Sequence, residues 1–586
     1  MTPVAADPKT FPIYTVKNDC QDCYKCVRAC PVKAIKIENG HAQEISDHCV
    51  LCGRCVEICP VGAKRIRDDR PEAERLLRSG KPVYVSIAPS WVGEFPDVSP
   101  GKMIRALKAL GFAEIGETAL GAQEVTASLA EFLRDAGPGL YLSTACPSAV
   151  EYVRRYLPHL TKCLTPVLSP LLAHCKLIRQ AAGPDAPIVF FGPCIAKKVE
   201  ADGHGDILAC SLTFKDLRSW LEEKGIDLDR IEDGPEEFFP IKADEGTHYP
   251  IEGGMIETIK ASGEFPDVRF LTISGMNSLQ RALDKVDPRG FSVPVFMECL
   301  ACPGGCINGP GSQKSHSSLS RWMNVKDFAG PLEKAPTRMV SVPVDEPYLP
   351  QGSDEGNVTE EQIKLALRMI GKTSEEDELN CGGCGYDTCR AMAKALVLGR
   401  AEVTMCVSYM RKKAQKKANA LLRSMPSGVV IVDHDLSIVE CNERFANLMG
   451  PETESLYDLS DGLKGARLAR IAPAFAHLVE GVLDTDEDVH YDHFRAGEKL
   501  FEITVFSIEP HLTVGAVILD VTRREIRRDQ IAHRANEVIR KNLATVQEIA
   551  CRLGEHMADT EILLRDIAEG YGSESDPDPK SRGRTS

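Results

Sequence analysis

Eight of the 22 cysteines stand in two copies of one spacing: Cys20, Cys23, Cys26 and Cys30 followed by Pro31, and Cys49, Cys52, Cys55 and Cys59 followed by Pro60. Each copy reads C-x2-C-x2-C-x3-C-P. Three thiolates this close grip three irons of one cubane, while the fourth crosses to the neighbouring cluster. The spacing therefore predicts one [4Fe-4S] cluster on Cys20, Cys23, Cys26 and Cys59 and a second on Cys49, Cys52, Cys55 and Cys30. A zinc ribbon would use two C-x2-C pairs, not triplets ending in Cys-Pro. Farther along, Cys381, Cys384, Cys389 and Cys406 follow C-x2-C-x4-C-x16-C, with glycines between the first two and after the second. Four thiolates alone suit zinc or an iron-sulfur cube, and a third [4Fe-4S] cluster is the expectation. Cys302 and Cys306 flank Gly304 and Gly305 in MECLACPGGC, where glycine lets backbone approach a bulky ligand. Cys146 in STACP and Cys194 in GPCIAKK stand alone, and an isolated free cysteine is more often a packing residue than a ligand.

These residues need elements to position them, and 586 residues allow about three to five domains. A net charge of -15 with 43% hydrophobic residues describes a soluble globular protein and argues against a general nucleic-acid or anionic-membrane surface. No run approaches the ~20 apolar residues of a membrane span, and MTPVAADPKT lacks a charged start and apolar core, so a cytoplasmic location is expected. Thiols stay reduced there, so clustered cysteines mean metal or redox chemistry. From about 80 to 345 the β-like runs PVYVSIAP, PIVFFGP, VRFLTISG and VPVFME mix with helical patterns such as KMIRALKALGF, which is α/β. After Cys406, SYMRKKAQKKANALLRSM predicts an amphipathic helix with a solvated Lys/Arg face. SGVVIVDHDLSIVECNERFANLMG predicts strand, turn and strand with Asn442 capping the next helix, and EKLFEITVFSIEPHLTVGAVILDVT adds a hairpin-like series. Between Ile539 and Ile567 apolar residues recur at four and three residue steps, a heptad seam that suits a short coiled coil or a helix docked on its own protein.

Several segments resemble known families. Residues 14 to 70 resemble a bacterial two-cluster ferredoxin domain. The 381 to 406 pattern resembles a small [4Fe-4S] domain found beside redox enzymes and corrinoid proteins. Residues 420 to 522 resemble a PAS domain, a module that senses or dimerises, without a flavin-reactive cysteine motif or an identifiable haem histidine. STACP, GPCIAKK and MECLACPGGC, together with SIAPSWVGEF at 86 to 95, resemble in kind and order the active-site loops of the [FeFe]-hydrogenase catalytic domain. That resemblance implies that Cys146, Cys194, Cys302 and Cys306 hold a [4Fe-4S] cubane. It also implies that the Cys306 sulfur bridges to a two-iron unit carrying CO, cyanide and a dithiolate with a central amine, the two parts forming the H-cluster. By the same resemblance Lys197 hydrogen-bonds one cyanide, Glu200 pairs with Lys197, and Ser90 donates to the other cyanide. Lys198 is expected to be a surface lysine. The remaining Cys163, Cys175, Cys210, Cys441 and Cys551 are expected to be packing residues.

The expected architecture is multidomain α/β and α+β. It comprises a ferredoxin-like domain (1–75), a hydrogenase H-cluster domain (80–345), a small helical [4Fe-4S] domain (355–410), a linker helix (411–425), a PAS-like domain (426–522), a C-terminal signalling or coiled-coil helix (523–570) and a disordered tail (571–586).

Departures from the resembled family carry information. Prototypical members have a proton-relaying cysteine where Ala145 stands and methionines where Gly192 and Leu300 stand, and acidic relay residues are not apparent around GAQEVTASLAEF. Cys299 is a possible substitute relay, with packing as the alternative. A centre retained without its fast proton path, fused to a PAS-like domain, resembles the sensory branch of the family. The expected partners are H2 and protons, ferredoxin or another redox protein, hydrogenase maturation proteins, a downstream signalling protein and a second copy of the chain, with neither nucleic acid nor membrane. The alternatives are a slow ferredoxin-linked hydrogenase that uses its PAS domain to dimerise, and a non-catalytic iron-sulfur relay or scaffold.

Overall fold

The computed structural model describes residues 11–522 other than 333, 353–355, 460, 461 and 498, together with 537–543. They form two compact units, one ending at Cys406 and one beginning at Val407. The heptad seam beyond Leu543, Cys551 and the tail lie outside the described residues.

In the first unit, Ile13–Thr15 pairs antiparallel with Lys64–Ile66, and Ile35–Glu38 forms a hairpin with His41–Glu44. Helices Lys25–Ala29 and Arg54–Ile58 end at Cys30 and Cys59. The second of these helices starts from Gly53 at φ 73°, where a Cβ would collide with Pro310 and Ile195, so this turn lies directly on the segment that follows Cys194.

The next part holds two parallel sheets. One has the order Glu114–Glu117, Tyr84–Ile87, Ile188–Gly192, Cys210–Thr213, and the other the order Arg269–Ser274, Pro294–Leu300, Gly139–Leu142. The four β-like runs of the sequence are strands. Three further strands, Glu114–Glu117, Gly139–Leu142 and Cys210–Thr213, are four residues each, too short to give a period. IVFFG at Ile188–Gly192 is buried throughout, as expected for a parallel strand covered on both faces. Ligands of parallel α/β sheets bind beyond the carboxyl ends of the strands. Cys146, Cys194 and Cys302 each follow such an end. Toward the end of the unit, helices Glu360–Met369 and Cys389–Val397 pack together.

The second unit begins with helix Val407–Ser424, in which Arg411, Lys412, Lys413, Lys416, Lys417 and Arg423 are exposed. It continues as a five-stranded antiparallel sheet in the order Ile438–Cys441, Gly428–Asp433, Thr513–Asp520, Lys499–Glu509, Val489–Ala496. Asn442 caps the helix Glu443–Met449, accepting from Phe445 N at 2.9 Å, and its amide donates to Leu422 O and Ser427 O.

Lys198 corrects the surface expectation. It is 0% exposed, and its ammonium lies 3.1 Å from Asp69 Oδ2, 2.7 Å from Ser211 O and 3.7 Å from Asp216. Asp69 also pairs with Arg67 at 2.7 Å, and Arg67 reaches Asp202 at 2.8 Å. The helix Ala196–Gly203 is thus tied twice to the Arg67–Asp69 segment, because burial leaves these charges no alternative to each other. Removing one member of a buried pair strands the other. Lys198→Ala is therefore expected to lower stability by about 3 to 5 kcal/mol in chemical denaturation. Lys36→Ala at the more exposed Lys36–Glu38 pair should stay within about 1 kcal/mol.

Candidate metal centre

Cys146 stands at the start of helix Pro147–Tyr156, with Pro147 preset in its first turn. Cys194 lies between Ile188–Gly192 and helix Ala196–Gly203. Cys302 and Cys306 are separated by a left-handed turn, Gly304 at φ 74° and Gly305 at φ 99°, and a Cβ on Gly305 would strike Pro250 O and come within 2.9 Å of Glu252 N. Ala301 N points at Cys146 Sγ at 3.4 Å, tying the first loop to the third. The four thiols feel one another. Burial and repulsion from Cys146 push Cys194 up to about 11, while burial and repulsion from the other thiols push Cys302 and Cys306 higher still. Such a set ionises fully only when a cation compensates it, which fits a thiolate-bound cluster.

Lys197 donates to Glu200 at 2.6 Å with both side chains largely buried, and its charge favours the thiolate forms of Cys194 and Cys306. Ser90 is 2% exposed, precedes the short helix Trp91–Glu94, and its Oγ has no hydrogen-bond partner. An orphaned buried hydroxyl is the donor that a bound polar group would satisfy. Ala145 is half-buried against the core, with only a methyl to offer. Cys299 is buried. Its thiol contacts Met297 O at 3.6 Å, and burial, then Cys146, pushes its pKa up, so it is a neutral thiol. Gly192 has no room for methionine, because a Cβ there would meet the Phe190 ring and sit 3.0 Å from the Ala88 methyl. Leu300 is buried.

Among the buried ionisable groups that sequence reasoning missed are Glu298, Glu117 and His174. Glu298 accepts from Thr272 Oγ1 at 3.1 Å and Met255 N at 3.4 Å, and burial raises it to about 7. Glu117 accepts from Ala243 N at 3.0 Å, leaves its other oxygen unpartnered, and is likewise raised to about 7 by burial. His174 holds Ser86 Oγ at 2.8 Å and is pushed down to about 3 by burial. For Glu117 and Glu298 the available signal was a charge inside a short apolar strand, as in FMECL, whereas His174 lies in the helix Pro170–Ala182.

Near the amino terminus, Cys30, Cys49, Cys52 and Cys55 line one small cavity, the grouping expected from the crossed ligation pattern. Burial raises Cys49 and Cys52 to about 12, and Cys30 adds to both. Cys26 is raised to about 11 by burial with contributions from Cys23 and Cys20, while Cys59 stands at the end of helix Arg54–Ile58. In the last cysteine set, Cys381 and Cys406 both repel a Cys384 thiolate, and Cys389 opens a helix capped by Thr388. Cys163, Cys175, Cys210 and Cys441 are buried.

Glu117 supplies a pH test. Its folded pKa of about 7 exceeds the ordinary 4.5, so the stabilising protonated state is complete below about pH 4.5 and lost as pH rises through 7. Glu117→Gln is expected to remove roughly 3 kcal/mol of that fall, read as denaturation midpoints across the window.

Residues 81–310 match the family described as Iron only hydrogenase large subunit, C-terminal domain, and residues 19–68 match a 4Fe-4S dicluster domain. Residues 377–408 match a small Fe-S cluster family, and residues 417–488 match a PAS domain. The chain is 29% identical to the periplasmic [Fe] hydrogenase large subunit of Nitratidesulfovibrio vulgaris over 52% of its own length and 88% of that protein. It is 24% identical to cytosolic iron-sulfur assembly component 3 of Mus musculus over 30% of its length and 47% of that protein. A solved [FeFe]-hydrogenase of Chlamydomonas reinhardtii is 18% identical with a TM-score of 0.38, covering 48% of this chain and 100% of that one. This is a hydrogenase-like iron-sulfur protein in which a region matching the iron-only hydrogenase model stands between a region matching a 4Fe-4S dicluster domain and one matching a PAS domain.

Proposed function

We propose that the chain is a sensory [FeFe]-hydrogenase, a low-turnover oxidoreductase of the cytoplasm that binds and slowly cleaves H2 and passes the redox change toward its PAS domain and a protein partner. Four partly buried thiols from three loops that oppose one another's ionisation, Lys197 beside Cys194 and Cys306, and a buried Ser90 hydroxyl without a partner carry this reading. Cys146, Cys194, Cys302 and Cys306 would hold the cubane of an H-cluster, with Cys306 shared with the two-iron unit and its CO, cyanide and dithiolate. When bound, that group supplies heterolytic H2 cleavage and one-electron redox steps.

The chain's own residues do the rest. Lys197, oriented by Glu200 at 2.6 Å, would serve as a fixed cation for one diatomic ligand, and the Ser90 hydroxyl would donate to the other. Ala145 carries no proton, so transfer to solvent lacks a side-chain acceptor next to the ligand cysteine. Cys299, with its high pKa and its contact to Met297 O, is a poor replacement at neutral pH. The dicluster cysteines and Cys381, Cys384, Cys389 and Cys406 would hold [4Fe-4S] clusters that exchange electrons with ferredoxin or a similar carrier. Among the described residues no helix is long and apolar enough to cross a membrane. Maturation proteins would insert the two-iron unit, and a second copy and a signalling protein are the partners suited to a PAS module.

A second reading, a non-catalytic iron-sulfur relay, is favoured by the relatives named as iron-sulfur assembly components. Infrared spectra of the matured protein decide between them. CO and cyanide bands that shift under H2 support the sensor, and a spectrum without such bands favours the relay. Ala145→Cys is expected to raise H2 turnover by about 10^2 to 10^4. An unchanged rate would remove the missing relay as the limiting step, and many turnovers per second in the unaltered chain with a soluble carrier would favour an ordinary enzyme.

A further inference from the structure

The CGGCG loop of the third cysteine set lies on the dicluster domain at the helix between its ligands. Arg28, within Lys25–Ala29, donates through Nη2 to Cys23 O at 2.9 Å and through Nη1 to Gly383 O at 3.2 Å, so one guanidinium bridges a carbonyl of each cysteine loop. Gly385 has φ 95°, and a Cβ there would come within 2.9 Å of Val27 Cγ1 and 3.2 Å of Arg28 N. The backbone next to Cys384 therefore touches the backbone next to Cys26. The seam continues through Ile37 N donating to Arg400 O at 3.2 Å and Arg400 Nη2 lying 3.0 Å from His48 Nε2. Tyr386, two residues after Cys384, is buried.

From this contact we propose that the Cys381–Cys406 site exchanges electrons directly with the dicluster domain across the Arg28–Gly385 seam, with Arg28 as the positioning residue. The proposal rests on the reading that this site holds [4Fe-4S]. In each transfer one cube loses one electron and the other gains it. No bond forms or breaks and no proton moves. The electron comes from H2 oxidised at the central site or from a reduced low-potential carrier. Tunnelling falls steeply with the gap between donor and acceptor, and ligand loops in van der Waals contact make that gap small. Only an arginine fork spans two carbonyls in this way, while lysine supplies the same charge at a single point. The third site is thereby a branch of the dicluster domain, and it lies one residue before helix Val407–Ser424.

The test uses the full-length, cluster-loaded protein. Iron, sulfide and zinc analysis comes first: zinc in place of iron at the third site overturns both the proposal and the reading beneath it. With iron present, electron paramagnetic resonance of the reduced protein is expected to show spin coupling between the third cluster and the dicluster signals. Arg28→Ala should lose that coupling and slow electron equilibration between the two at unchanged iron content. Should Arg28→Ala lose iron, Arg28→Lys, which keeps charge and stem but not the fork, is the deciding variant and should show weakened coupling. Uncoupled signals in the unaltered iron-loaded protein, or coupling unaffected by the deciding variant, would overturn the proposal while leaving the cluster assignment standing.

Discussion

Four thiols brought together in one partly buried site cannot all give up their protons unless something positive takes their place. Burial raises the thiol pKa values of Cys194, Cys302 and Cys306, and each neighbouring thiol raises them further. A site of this kind is stable as neutral thiols or as a metal cluster and is unfavourable in between, so cluster insertion releases protons and contributes to folding. The fold meets the demand by ending parallel strands at the same place. The loops after Gly139–Leu142, Ile188–Gly192 and Pro294–Leu300 each deliver cysteine there, although about 160 residues of chain separate the first from the last.

Holding that point requires charge to be balanced around it, and the helix Ala196–Gly203 does much of this. Lys197 and Glu200 pair on the side that faces the thiols, whereas Lys198 and Asp202 face Asp69 and Arg67 on the segment after the dicluster cysteines. One helix therefore registers the central site against the amino-terminal clusters. Gly53 does the same at close range, since only a residue without a side chain fits between the second cysteine triplet and Ile195. A rotation of this helix that relieved one side would strand a buried charge on the other, which makes the arrangement stiff.

What could be read in advance follows from how local each feature is. The dicluster spacing was legible because one turn of chain positions its thiols, and Cys30 does share a cavity with Cys49, Cys52 and Cys55. Asn442 was legible as a cap for the same reason. Cys146 carries no local sign of its surroundings, and only its order with GPCIAKK and MECLACPGGC suggested a common site. Lys198 misled because its partners Asp69 and Asp216 are remote in sequence, and a lysine is rarely fully buried without partners. Glu117 and Glu298 were missed because a charge on a four- or seven-residue strand looks like the exposed half of an alternating pattern, and His174 because its partner Ser86, which it meets from inside the helix Pro170–Ala182, is remote in sequence. The strands are parallel and covered on both faces, so no exposed half exists.

The departures from the hydrogenase pattern are unequal in physical weight. At Gly192 the loss of a side chain is compensated, since the Phe190 ring fills the volume and keeps the wall apolar. At Ala145 nothing compensates, because a methyl group can fill space but cannot accept a proton. The Lys197–Glu200 ion pair and the unpartnered Ser90 hydroxyl, by contrast, are retained in the chain. A pocket that keeps its binding electrostatics and drops its proton acceptor lowers the rate of turnover far more than it lowers occupancy. In the proposed sensor, slow turnover would lengthen the life of each redox state, and a long-lived state is what a neighbouring cluster and a PAS domain could register.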